Sequence, residues 1–147
     1  MQVDAGKVNT LDGWRDVKVA VLARREPGAS IAPSEWDRRD LPAPAVRSVV
    51  AAVEEAAAFG VRCVAEATRL GLTDPKEINV LGDGAEWIWD LAEQRFRGAA
   101  RCLDFWHGSG HLGDGAEAVF GSGSGAAEAA LGRGQMRLLE GGYRGVA

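Results

Sequence analysis

The sequence predicts an α/β fold, and three observations predict it. Two strand-like runs flank an Asp12-Gly13 pair near the start, apolar residues recur at spacings of three and four over residues 45–71, and a short apolar run at 78–81 leads through Gly82-Asp83-Gly84 into an amphipathic stretch. A second apolar run at 102–106 follows that stretch. Together they read as a β-hairpin, a long helix, a strand-helix-strand unit and a helical C-terminal part.

The hairpin comes first. Asp-Gly is a turn signal, and Val17, Val19 and Val21 alternate with Asp16, Lys18 and Ala20, the period of a half-buried strand. Met1 stands almost inside the first strand, which raises the expectation that sequence upstream is missing. Residues 26–44 carry four of the five prolines, so an irregular connector with at most a short edge strand is expected there. From Ala45 the pattern changes: Val46, Val49, Val50, Val53, Ala56, Ala57, Gly60, Val61 and Val64 lie on one helical stripe, ending at the glycine stop Gly71.

Beyond Gly84, the helix expected there places Ala85, Ile88, Trp89, Ala92 and Phe96 on its apolar face, with Trp87 and Leu91 beside it. The run at 102–106 is short enough for a buried strand, and a strand, a helix and a second parallel strand form a right-handed crossover. The chain then turns rich in Gly and Ala, with GSGSG at 121–125 and a helical stretch at 126–139. GSGSGA satisfies Gly-x-Gly-x-x-Ala, but no strand of adequate length precedes it, so it reads as a linker rather than a dinucleotide fingerprint.

Composition narrows the function classes. A net charge of −4 on 147 residues advertises no dominant basic surface, so nucleic-acid binding would need a metal or a further basic region. The two cysteines, Cys63 and Cys102, show no paired spacing, no apolar leader precedes the first strand, and both thiols read as small core hydrophobes. A cytoplasmic location is the expectation. Apolar stretches are broken by Glu54, Glu55, Arg62 and Glu66, far short of the unbroken ~20 residues a spanning helix requires, so no membrane partner is expected.

Two aspartates carry the chemistry. Asp83 lies where a parallel strand ends and a helix begins, the usual location of ligands in open α/β sheets, and glycines on both sides allow close approach; a helix-capping role explains the same position. Asp4 sits inside the first strand, where aspartate is disfavoured. If the two strands are neighbours, the carboxylates repel each other unless a divalent cation lies between them, and oxygen-only ligands suit Mg²⁺ or Mn²⁺. Asp104 and His107 follow on the next strand end. With Cys102 and His111 they also form a Cys-x-Asp-x-x-His-x-x-x-His set of possible zinc ligands, short of thiolates for a structural site. Glu117 and Glu128 read as solvated helix residues.

VDAGKVNT with GWRDVKVAVLARR, then LGDGAEWIWDLAEQRF and LDFWHGSGHL, resembles the catalytic region of bacterial insertion-sequence transposases of the ISKra type, distant relatives of the Mutator group of DDE transposases. The resemblance runs from Val3 to about Tyr143, and GDGAEWIW followed by Asp-x-x-His is its most specific part. It implies a partial RNase H-like catalytic domain at 1–112 and the start of a helical insertion at 113–147. Asp4 and Asp83 match the family's first two metal-binding acids, Asp104 and His107 match a signature that supports the site without ligating ions, and Trp87 and Trp89 become packing residues behind Asp83. The implied activity is metal-dependent DNA cleavage and strand transfer in transposition, with transposon-end and target DNA as partners and a homo-oligomer as the intact enzyme.

The chain departs from that pattern in two places. The family's third acid comes later, after a long helical insertion, so a truncated transposase, inactive alone, is the expectation. Gly108-Ser109-Gly110 also replaces the usual alanine and acidic residue between the histidines, weakening the next helix. The alternative from another class is a non-catalytic, domesticated remnant that binds DNA or protein, or holds zinc.

Overall fold

The computed structural model describes residues 1–38, 40–74 and 77–146. Arg39 of the proline-rich connector and Ala147 of the terminal stretch lie outside the described residues. The chain forms two compact units, one of Met1–Glu26 with Ala43–Leu103, the other of Pro27–Pro42 with Asp104–Ala147.

The first unit is a mixed α/β layer. Its strands are β1 (Gln2–Thr10), β2 (Gly13–Arg24), β3 (Val46–Ala52), β4 (Asn79–Gly82) and β5 (Ala100–Leu103), joined as one sheet in the order β3-β2-β1-β4-β5. The β1–β2 and β2–β3 pairs are antiparallel, whereas β1–β4 and β4–β5 are parallel. Helices α1 (Ala56–Arg69) and α2 (Glu86–Arg95) pack on the face that carries Val3, Ala20, Leu22 and Val80.

The hairpin turn forms at Leu11 and Asp12, with Thr10 opposite Gly13. Neither turn residue has a positive φ, while Gly13 has φ +99°. A type I′ turn needs positive φ at both central residues; here the glycine takes the left-handed position after the turn instead. Thr10 closes it, its Oγ1 donating to the Gly13 carbonyl at 2.8 Å.

Three sequence expectations need correction. The long helix is shorter than its periodicity predicts, because Val46–Ala52 is strand β3, paired along its whole length with β2. V-x-x-V-V fits both periods; β-branched side chains and a partner strand decide for the sheet. On β2 the buried residues are Ala20 and Leu22, while Val17, Val19 and Val21 are half-buried on the opposite face. Small alanine lets α1 approach, and Phe59, Cys63 and Ala67 of α1 fill that space. The buried strand expected at 102–106 is split: β5 is an edge strand with all four residues exposed, Phe105 and Trp106 open a helix, and Cys102 is exposed rather than in the core.

Cys63 does behave as a core residue. Burial, with Glu54 nearby, pushes its thiol up to about 12, so it stays protonated at neutral pH.

Ser48 of β3 donates its hydroxyl to Glu66 of α1, and Arg69 Nε donates to the same carboxylate at 2.8 Å. Those bonds, from Arg69 first and Ser48 second, lower Glu66 from 4.5 to about 2. A depressed carboxylate stabilises the fold above its unfolded value and loses that contribution as pH falls through the folded one. The stability gap between the parent chain and Glu66→Gln is therefore expected to close as pH falls from 4.5 to 2; a gap that stays constant in urea titrations over that window would contradict the linkage.

The second unit contains a 3-10 segment (Pro33–Arg38), α3 (Phe105–Phe120), α4 (Gly125–Gly141) and a terminal 3-10 turn (Gly142–Gly145). Trp36 of the connector packs on Phe105 and Trp106, with ring centroids 4.9 and 5.2 Å away. The glycine-rich segment between α3 and α4 is a short turn in which Gly121 and Gly123 take positive φ, and Ser124 caps α4 by accepting from the Ala127 N–H at 3.1 Å. Gly108-Ser109-Gly110 lies inside α3, where buried Ser109 accepts from Gln135 Nε2 of α4 at 2.7 Å. Among the described residues no helix is long and apolar enough to cross a membrane.

Candidate metal centre

Asp4 lies within β1, and Asp83 immediately follows the end of β4, the neighbouring strand. Gln2 of β1 is the parallel partner of Leu81 of β4, and the Leu81 N–H donates to the Met1 carbonyl at 2.8 Å. Two residues further along each chain stand Asp4 and Asp83. Strand alternation puts Asp4 on the face opposite Val3 and Ala20, since Asp4 pairs with Val19 and Val3 with Ala20, while Asp83 stands just past the end of β4 in the bend that leads to α2. Asp4 is exposed and Asp83 half-buried.

Local structure holds each acid. Asp83 Oδ1 accepts from the Ala85 N–H at 2.9 Å, an Asx-type turn that feeds the chain into α2. Asp83 is not the helix N-cap, however: that position is Ala85, two residues on, and no side chain among the described residues caps α2. Asp4 Oδ1 accepts from the Ala5 N–H at 2.7 Å. In both carboxylates, Oδ2 has no hydrogen-bond partner among the described residues, so each keeps an oxygen for a further ligand.

The two glycines around Asp83 have separate duties. A Cβ on Gly82 would stand 2.8 Å from Ile88 Cγ2, so the close approach foreseen at this position is made by the α2 side chain. Gly84 has φ +102° and supplies the turn into α2. Trp87 packs edge-on against Phe59 with centroids 6.3 Å apart, and Lys18 Nζ lies 5.6 Å from its ring. Trp89 packs half-buried against the core, so both tryptophans do the packing work expected of them.

Asp104 and His107 belong to the second unit and meet through the backbone. Asp104 is the N-cap of α3, its Oδ1 accepting from the N–H groups of Trp106 at 2.8 Å and His107 at 3.1 Å. The Asp-x-x-His spacing is therefore also the spacing of an N-cap and its N3 residue. The His107 ring turns to His111, one helical turn on, with the two Nε2 atoms 3.0 Å apart. That pairing was readable from the His-x-x-x-His spacing; the Trp36–Phe105–Trp106 cluster was not, because its members are far apart in sequence.

As expected, Glu117 and Glu128 are exposed helix residues. Among the described residues no group of three or more His, Cys, Asp or Glu side chains is placed to hold a metal ion. A cavity of about 220 Å³ opens at the amino-terminal ends of β1 and β4, between Met1, Leu22, Arg24, Asn79 and Phe96, and contains none of these candidates. The chain matches no family model, no curated protein and no solved structure.

Proposed function

We propose that this chain is part of the catalytic region of a DDE transposase with an RNase H-like core, in which Asp4 and Asp83 hold Mg²⁺ or Mn²⁺. The observation that carries the reading is the parallel β1–β4 register, with Gln2 opposite Leu81 and each acid two residues further along the chain. The sheet order β3-β2-β1-β4-β5, antiparallel on one side of β1 and parallel on the other, supports the RNase H-like part of the reading.

The donor set fits such an ion. Two hard carboxylates, each with an uncommitted oxygen, suit Mg²⁺ or Mn²⁺ over softer metals. Such an ion would supply Lewis-acid stabilisation of charge on a DNA phosphodiester. The chain's own contribution is placement: β1 carries Asp4, Asp83 follows β4, the Ala85 N–H holds Asp83 Oδ1, and Ile88 against Gly82 anchors the start of α2. Asp104 and His107 have a supporting role in this proposal, with transposon-end and target DNA as partners and a homo-oligomer as the working enzyme.

Mn²⁺ should broaden NMR signals around Asp4 and Asp83 together, and Asp4→Asn or Asp83→Asn should each abolish the effect. Broadening spread evenly over the acidic surface would instead favour the non-catalytic binding remnant. With no third ligand beside the pair among the described residues, this polypeptide alone is expected not to nick DNA.

A further inference from the structure

We propose that α3 carries a second, chemically different metal site: a two-imidazole clamp formed by His107 and His111 that takes one divalent transition-metal ion of the Cu²⁺ or Ni²⁺ class. The two Nε2 atoms lie 3.0 Å apart on successive turns, with the rings nearly perpendicular at 86° and both side chains exposed. In the absence of an ion, one Nε2–H donates to the other Nε2. An ion replacing that shared proton sits to one side of the line between the nitrogens, and a modest turn of each exposed ring aims both lone pairs at it.

The separation is compatible with both nitrogens binding one ion in cis positions. With metal–nitrogen bonds of about 2.0–2.1 Å, nitrogens 3.0 Å apart subtend roughly 90–97° at the ion. That is the cis angle of tetragonal or octahedral coordination, whereas a tetrahedral ion would hold the nitrogens about 3.3–3.4 Å apart at the same bond length. Imidazole ligands with a tetragonal angle favour Cu²⁺ and Ni²⁺ over a structural zinc, and water fills the remaining positions. Asp104 adds no third ligand through Oδ1, which already accepts from two backbone N–H groups.

The helix itself gives the clamp a purpose. Gly108, Gly110, Gly113 and Gly115 all lie in α3, and glycine is the poorest helix former after proline. An ion bridging residues 107 and 111 ties together the two turns these glycines loosen, so binding stabilises the helix by mass action.

The test uses the full chain with Ni²⁺ followed by calorimetry and Cu²⁺ followed by electron paramagnetic resonance. The expected result is one saturable ion per chain, hyperfine structure from two nitrogens, and slower amide exchange along α3. His107→Gln and His111→Gln should each weaken binding about tenfold or more, because the second imidazole binds intramolecularly. Asp4→Asn and Asp83→Asn should leave it unchanged, and excess Mg²⁺ should not compete, which separates this site from the acid pair. Absence of saturable binding, or binding that survives either histidine substitution, would overturn the proposal.

Discussion

Phe59→Ala is expected to remove about 3–5 kcal/mol of stability, the range for deleting a buried aromatic side chain. Phe59 is completely inaccessible, and it stands where α1 meets both the sheet and α2, against Trp87. The loss combines the transfer free energy of the ring with the cavity left behind, and few neighbours can collapse into it. Val3, Leu22, Val80 and Ile88 are themselves fully packed. Since whole domains are stable by only about 5–15 kcal/mol, the variant should populate unfolded chain at ordinary temperature. A urea midpoint corresponding to a loss below about 1 kcal/mol would mean that α1 is not docked as described.

Gly82→Val has the second largest expected effect, about 1–3 kcal/mol, the usual cost of overfilling a packed site. The new Cβ would meet Ile88 Cγ2 at 2.8 Å and Cδ1 at 3.1 Å. Isoleucine in a helix is confined largely to one χ1 rotamer, so relief requires α2 to move off β4. Asp83 is tied to the start of α2 through Ala85, and the strain therefore reaches that carboxylate. Mn²⁺ broadening should weaken in Gly82→Val although no carboxylate has been touched. Because the clash is pairwise, Gly82→Ala combined with Ile88→Ala should cost less than the two single changes added together. Simple additivity would show that the two residues do not meet.

Much of the site was legible because its determinants are local. Asp12-Gly13 announces the hairpin, Gly82-Asp83-Gly84 announces a strand passing into a helix, and an aspartate inside β1 is conspicuous. What resisted reading depends on partners distant in the chain. Val46 to Ala52 shows helical spacing, and only pairing with β2 makes it a strand. The valines of β2 suggested the wrong buried face, because Ala20 owes its burial to the size of the α1 side chains above it rather than to its own hydrophobicity. Phe105 and Trp106 joined an apparent apolar run whose true boundary is the cap at Asp104.

The β1–β4 register also bears on how the molecule comes to be folded. The β1–β2 hairpin closes across two residues, whereas joining Gln2 to Leu81 requires the intervening strands, connector and α1 to be looped out first. Loop-closure entropy is lost before such a contact returns any enthalpy, and distant strand pairings are slow for that reason. Strands β1 and β4 thus begin as strangers in the nascent chain. Their rate of meeting is governed by topology, and a partly folded population would contain the hairpin without the β1–β4 pairing.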